Sequence, residues 1–414
     1  MQIIREITKK APYYLTHLIA FTLPLSAKLV SLFVLLFFIS VLFAGNYQKG
    51  FLKTIKKPIF YLPLILYGFY FVSVFFSENK QVAWFDLQVK LSLLLFPLFV
   101  CLHQDFRECD YKKILISFVE GCIAACTVAL FLASVKYYFS FESDNFFYTS
   151  LSYALHPSYL AMYLVFSIVI LLCLFDFNSC TLKTSLFCNK FIRLFIYAFF
   201  SVVIVMLSSK SGIFSIIFLI LFSLLYLMFV KRKILLSSVS ILFIMAVIIL
   251  LPKIAPYPYS RLKAAFTAVE NINNSKKENG EGTSERVKIW RASYRLIHQH
   301  PFGVGVGDVK AVLMEEYKNT GMLIAAKKHL NCHNQYLQTA LAIGIPGLIL
   351  FIGMLLYPIY TFLKNKEYLF MLFILLVSLN FLFESMFETQ AGVVFYAFFY
   401  TLFASRHLPQ SKKV

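Results

Sequence analysis

The stretch HLNCHNQYLQTALAIGIPG, residues 329–347, places two histidines, a cysteine and two asparagines directly before an apolar run. His329 and His333 are spaced i, i+4 with Cys332 between them, a spacing that zinc ligands can have. No glutamate completes an H-E-x-x-H pattern, however, and a third ligand would have to come from elsewhere in the chain. A neutral imidazole at a membrane mouth can instead take a proton from a hydroxyl. His333 is therefore the candidate catalytic base, and no metal or cofactor is expected. Cations that could meet an anionic substrate stand in two other places. Arg286, Arg291 and Arg295 lie in RVKIWRASYRL, and Lys210 lies in the polar break LSSKSGIF. Asn334, next to the base, and Glu384, in FESMFETQAG, are the candidate supporting residues.

The elements that must position these side chains are membrane helices. Of 414 residues, 60% are hydrophobic and 14% charged, where a globular chain carries about 25% charged. Apolar runs able to cross a bilayer core of about 30 Å recur from end to end. Spans are expected near 12–27, 29–44, 58–76, 82–101, 114–135, 157–175, 194–208, 211–230, 234–251, 336–360, 368–384 and 389–404. The first two could form one hairpin broken at Pro24 and Ser26, and 82–90 could lie along the interface. The fold class is thus an all-α polytopic membrane protein of about twelve helices, with one large, partly helical loop between the ninth and tenth. Residues 1–251 form the N-terminal membrane domain, 252–335 the loop, 336–404 the C-terminal helices and 405–414 a tail. The first ten residues, MQIIREITKK, are basic and polar with no cleavage motif after them, so no cleavable leader is expected.

Basic residues set the orientation. With the N-terminus inside, 21 of the 39 Lys and Arg fall in loops on that side, and only Lys28, Lys80, Lys136 and Lys210 fall in the short loops opposite. The positive-inside rule then makes both termini cytoplasmic and the long loop external. The net charge of +19 is mostly topogenic, so nucleic-acid binding is not implied. The long loop still carries thirteen Lys and Arg against seven Asp and Glu. Long loops escape the topology rule, and the excess fits an anionic ligand or anionic headgroups. Seven cysteines fall in spans or inside and Cys332 alone faces outward, so no disulfide is expected. Cys122 and Cys126 read as small packing residues, and Lys90 and Glu120 as an intramembrane ion pair.

Within the loop, the first part is turn-rich, with Gly280 and Gly282 in a mobile segment. The second part reads as a helix over 284–299, a glycine turn, and a helix over 308–319. Ser284 is the expected N-cap and Pro301 the stop. Val287, Trp290, Tyr294 and Ile297 form the expected docking stripe. The G-x-G-x-G of PFGVGVGD follows no strand, so it is a turn or a phosphate nest rather than a dinucleotide fingerprint.

These features together resemble the O-antigen ligase and O-antigen polymerase superfamily of bacterial envelope enzymes. Members share about twelve spans and a large periplasmic loop between the ninth and tenth, a GT-C-like arrangement. The family's arginine followed by a proline-glycine turn is similar to Arg286-Val-Lys-Ile-Trp290 with Pro301–Gly307 after it. The ligase signature of histidine, ten residues, glycine resembles His333 to Gly344. The family's S-R-x-G looks like Ser209-Lys210-Ser211-Gly212, with lysine keeping the charge but losing bidentate geometry. Asn331 stands where many members have a first histidine, and LHPSYLAMYL at 155–164 resembles a segment of related chains. The resemblance implies transfer of a glycan from undecaprenyl diphosphate to an acceptor sugar hydroxyl. The acceptor is lipid A–core for a ligase and another lipid-linked repeat for a polymerase; relatives glycosylate protein. It further implies a metal-independent enzyme of the bacterial inner membrane, partnered by membrane lipids, with His333 as base and Arg286, Lys210 and Arg291 on the diphosphate. A secondary transporter or a lipid-linked glycan flippase is the rival reading, but neither repeated halves nor broken midplane sites stand out.

Overall fold

The computed structural model describes residues 2–44, 51–102, 111–177, 186–230, 283–365 and 367–406, together with 232, 259 and 260. No strand occurs among them. The helices of ten residues or more are α1 (Gln2–Thr22), α2 (Ala27–Ala44), α3 (Pro58–Phe76), α4 (Lys80–Val89), α5 (Ser92–Leu102), α6 (Tyr111–Ser140), α7 (Pro157–Leu171), α8 (Lys190–Leu207), α9 (Lys210–Leu225), α10 (Thr283–Gln299), α11 (Val309–Asn319), α12 (Gln335–Asn365), α13 (Tyr368–Phe381) and α14 (Gln390–Ser405). Six of these are long and apolar enough to cross a bilayer, or seven if α4 and α5, bent by 42° at their junction, are one span. Helices α9, α13 and α14 are apolar but shorter. The span expected at 234–251 and the turn-rich half of the loop lie outside the described residues.

Helix ends follow local chemistry. Pro58 and Pro157 occupy first-turn positions, where the missing N–H costs nothing. Asn79, Asn189, Ser209 and Thr389 cap α4, α8, α9 and α14 through their side chains. The break between α1 and α2 falls at Leu23–Ser26, where Pro24 and Ser26 suggested a broken hairpin.

At the centre stands α7, buried along its whole length and packed by α6, α8, α9 and α13. Phe166 on α7 meets the rings of Phe118, Phe373, Phe395 and Phe399. Lipid tails are as apolar as these side chains, so close packing rather than water exclusion holds such helices together. Small residues let them approach: a Cβ at Gly212 of α9 would sit 2.5 Å from the Ala161 Cβ of α7.

One helix is broken on purpose. In α12 the backbone leaves helical geometry at Ile343 and Gly344, the latter with φ of 76°, and Pro346 follows. The glycine turn docks there: Val304 N–H donates to the Leu341 carbonyl (2.9 Å), Gly305 N–H to Ala342 (3.2 Å) and Ile345 N–H to Pro301 (2.8 Å). Polar backbone freed by a kink must be satisfied by protein at membrane depth, and this turn does it. A side chain at Gly344 would meet the Phe302 backbone at 2.5 Å.

Three expectations are corrected. Lys90, fully buried at the α4–α5 junction, pairs with Asp86 (2.6 Å) and Glu388 (3.0 Å) and lies 5.0 Å from the Tyr70 ring centre. Glu120 is exposed on α6; Asp86, one helical turn before the lysine, takes the place assigned to it. Helix α10 begins at Thr283, so Ser284 lies in its first turn rather than at its cap. Of the expected stripe, Ile297 is buried and Trp290 half-buried against the core, but Tyr294 is 59% exposed, and Glu285, Ile289, Ala292, Ser293 and Leu296 make up the rest of the buried face. The buried face is therefore rotated only part of the way from the expected stripe, a serine and an alanine facing inward and the tyrosine outward.

Candidate active site

Helix α12 starts one residue after Asn334, whose side chain accepts from Leu337 N–H (3.1 Å) in the manner of an N-cap. The same asparagine donates to the Leu382 carbonyl (3.3 Å), and its N–H donates to Ser385 Oγ (3.2 Å). Asn334 thereby joins the start of α12 to the loop 382–389. Immediately before it, His333 takes a left-handed backbone, φ 45°, with its N–H donated to Asn331 Oδ1 (3.0 Å). A non-glycine residue in that region is uncommon, and such strain persists where the surroundings over-determine it.

The consequence is the placement of the imidazole. His333 Nδ1 is buried and faces Glu384 Oε2 at 3.6 Å, an electrostatic contact longer than a hydrogen bond. His333 also borders a cavity of about 360 Å³, lined in addition by Tyr148, Thr149, His156, Glu285, Arg286 and Leu330, among others. Glu384 is itself held from two further sides. Arg286 donates to its Oε1 (3.1 Å) while also bonding the Phe383 carbonyl (2.7 Å), and Ser158 Oγ donates to the same Oε1 (3.0 Å). Burial pushes the Glu384 carboxyl up, but His333 and the Arg286 guanidinium outweigh it and hold the group down at about 2. It is a fixed anion at any physiological pH. Ser209 Oγ, the cap of α9, donates to Ser158 Oγ (3.3 Å). The N-terminal ends of α7, α9 and α12 thus gather at one carboxylate. Helix N-termini carry partial positive charge, which favours an anion nearby.

Of the residues singled out from sequence, His333, Arg286, Glu384 and Asn334 come together here. Lys210 opens α9, half-buried, one residue from the Ser209 that reaches the cluster, and is not among the residues lining the cavity. Arg291 is exposed on another flank of α10. Arg295 is engaged with Glu316 of α11 through Nε (3.0 Å) and an NH2 (2.7 Å), closing the α10–α11 pair. His329, Cys332 and His333 diverge: the first is exposed, the second fully buried with the Ser293 hydroxyl donated to its sulfur (3.3 Å), the third on the cavity. Burial pushes the Cys332 thiol up to about 12, so it packs as a small apolar group. In the glycine turn the N–H groups of Gly303, Val304, Gly305 and Gly307 are all donated within the protein. Asp308 accepts from Glu78 N–H (2.6 Å) and Asn79 N–H (2.9 Å), pinning the turn to the start of α4. It is a clasp and leaves no phosphate nest.

His156 and Ser158 had no assigned role in the sequence. Their signal was the polar trio His-Pro-Ser opening an otherwise apolar run, with proline at the first helical position. Tyr148 and Thr149 gave none, because the segment 143–156 reaches the cavity only through the tertiary fold.

Residues 195–352 match the family described as O-antigen ligase. No curated protein matches the chain. The matched segment is less than half of the sequence, yet it holds Lys210, Arg286, the glycine clasp, His333 and Gly344. The match supports the O-antigen ligase and polymerase superfamily, a family of membrane glycan-transfer enzymes, in a chain with several described helices long and apolar enough to cross a bilayer.

Proposed function

We propose that this protein is a member of the superfamily and transfers a glycan from an undecaprenyl-diphosphate-linked donor to an acceptor sugar hydroxyl, with lipid A–core as the acceptor. The observation that carries the reading is the His333–Glu384 pair: Nδ1 buried against a carboxyl held well below its ordinary range, in a residue that lines a cavity shared with Arg286. A carboxylate at Nδ1 keeps the proton on that nitrogen and leaves Nε2 as the proton acceptor, the logic of an oriented general base.

In the reaction, Nε2 of His333 takes the acceptor hydroxyl proton as its oxygen bonds the anomeric carbon. The carbon–oxygen bond to the diphosphate breaks, and its electron pair leaves on the phosphate oxygen. Glu384 stabilises the imidazolium that forms, and Arg286, the gathered helix ends and Lys210 offset the charge of the departing diphosphate. No metal enters this sequence. The cavity face is placed in the periplasm, with both termini in the cytoplasm of a Gram-negative inner membrane; the partition of basic residues supports that orientation.

The test uses purified protein in nanodiscs with lipid-linked glycan and lipid A–core, with chelator and without ATP. Glycan joined to the core is the expected product. Joining of two lipid-linked units instead makes the chain a polymerase, and a strict requirement for a divalent metal overturns the base mechanism.

A further inference from the structure

Two histidines border the same cavity, and only one is used so far. His156 is exposed there, between Tyr148 and Tyr159, whose rings stand edge-on to it at 6.3 and 6.4 Å between centroids. It caps α7: its Nδ1 accepts the Ser158 backbone N–H at 3.3 Å. A nitrogen that accepts cannot also carry a proton, so the imidazole is the neutral tautomer with hydrogen on Nε2. His156 therefore donates through Nε2, on a residue that lines the cavity. His333 has the reverse arrangement, its Nδ1 directed at Glu384 and its Nε2 left to accept. The two rings are also mechanically linked, because Ser158, the residue that sets the tautomer of His156, donates its hydroxyl to the carboxylate that orients His333.

From this pairing we infer that His156 is a hydrogen-bond donor to the leaving diphosphate, complementary to the base. The inference rests on the glycan-transfer reading above. In a displacement at the anomeric carbon, the acceptor oxygen and the leaving oxygen stand on opposite sides of that carbon. One side needs a lone pair and the other needs donors. Two imidazoles in one cavity with opposite tautomers meet both requirements. Arg286 is already committed to Glu384 and the Phe383 carbonyl, so its charge is largely balanced before substrate arrives. A further donor on the leaving-group side then has a clear use. His156 keeps its proton throughout: a neutral imidazole giving up Nε2–H would become an imidazolate, and a diphosphate departs as an anion without being protonated. The acceptor's proton goes to His333 alone.

The test compares His156→Phe, which keeps the ring and loses the donor, with His156→Gln, whose amide places an N–H near the Nε2 position. Binding of undecaprenyl diphosphate carrying no glycan, and transfer from the lipid-linked donor, are measured on each in nanodiscs. A hydrogen bond to a charged oxygen corresponds to roughly a 10- to 100-fold effect. His156→Phe is expected to weaken binding of undecaprenyl diphosphate and lower transfer in that range. His156→Gln is expected to recover most of both, and the pH dependence of the residual rate should keep the form it has in the wild type. Loss of affinity for the lipid-linked glycan with none for undecaprenyl diphosphate would assign the donor to a sugar hydroxyl and overturn the proposal. So would His156→Phe binding and turning over like the wild type, or His156→Gln remaining as impaired as His156→Phe. If the wild type itself transfers nothing and does not bind undecaprenyl diphosphate, the glycan-transfer reading fails as well, a result distinct from any of these.

Discussion

Two cavities lie at the two ends of the first half of α12, and they differ most in what lines them. The one at the kink, about 460 Å³, is bordered by Ile65, Phe69, Val72, Phe302, Ile343 and Pro346 and is apolar almost throughout. The one at the helix start, about 360 Å³, is bordered by two imidazoles, a guanidinium, a carboxylate and two hydroxyls. At the kink the Leu341 and Ala342 carbonyls and the Ile345 N–H have partners in the glycine clasp. At the start, His333 holds a strained backbone and a buried Nδ1 that stops short of a hydrogen bond. Hydrogen bonding completed inside the protein marks structure, while groups held ready but incompletely paired mark chemistry. The larger cavity is the less interesting one.

The contrast breaks most sharply at Glu384. Glu384→Gln removes the fixed anion behind His333 and is expected to lower the transfer rate by about 10²-fold while the protein still inserts and folds. It also carries a pH signature. Because the folded carboxyl is held below its ordinary value of 4.5, the stability it contributes is complete above pH 4.5. It is lost as pH falls from there towards 2. The stability gap between wild type and Glu384→Gln, followed by thermal unfolding, should therefore persist from pH 8 down to about 4.5 and close only below that. A gap that closes between pH 7 and 5 would contradict the geometry.

At the other cavity the expected loss is structural. Gly344→Ala demands a left-handed alanine and drives its Cβ into the Phe302 backbone. A cost of about 2–3 kcal/mol is expected, read as a lower unfolding temperature, with turnover per folded molecule falling less than in Glu384→Gln. The reverse ranking would move the chemistry to the kink.

Much of this was legible in the sequence, for reasons that vary by residue. The apolar run 58–76 became α3 with those bounds because length and a leading proline define a span locally. Helices α10 and α11 came close to their expected limits since Pro301 and the glycines punctuate them. The partners of Lys90 were not legible, because Glu388 comes from the far end of the chain and only the fold brings it to Asp86 and Lys90. Glu384 was a candidate by position alone; its role as the hub of Arg286, Ser158 and His333 depends on four separate segments meeting. The rotation of the α10 stripe was missed because residue type favoured burying Tyr294, while packing against α12 favoured Ala292 and Ser293.

Smaller effects sharpen the comparison. Lys210→Arg is expected to keep activity within about 3-fold, whereas Lys210→Ala should lower it by about 10-fold or more through loss of a nearby cation. Transfer assays at two salt concentrations check whether the loss is electrostatic, since screening would narrow the difference. The mildest change is Gly68→Leu. A side chain there meets open space beside the apolar cavity, so it should fill part of it and alter turnover by less than about 3-fold. A large loss would show that the apolar cavity holds part of the substrate.

The most direct test of the base is His333→Asn in nanodiscs, with lipid-linked donor binding and transfer measured on the same preparation. An amide can keep a hydrogen bond to the acceptor hydroxyl but cannot take its proton, so donor affinity should stay near wild type while transfer falls by about 10²–10⁴-fold. His329→Ala, exposed and away from the cavity, should match the wild type in both. Full transfer by His333→Asn, or equal losses in His329→Ala, Cys332→Ala and His333→Asn together with inactivation by chelator, would contradict the account.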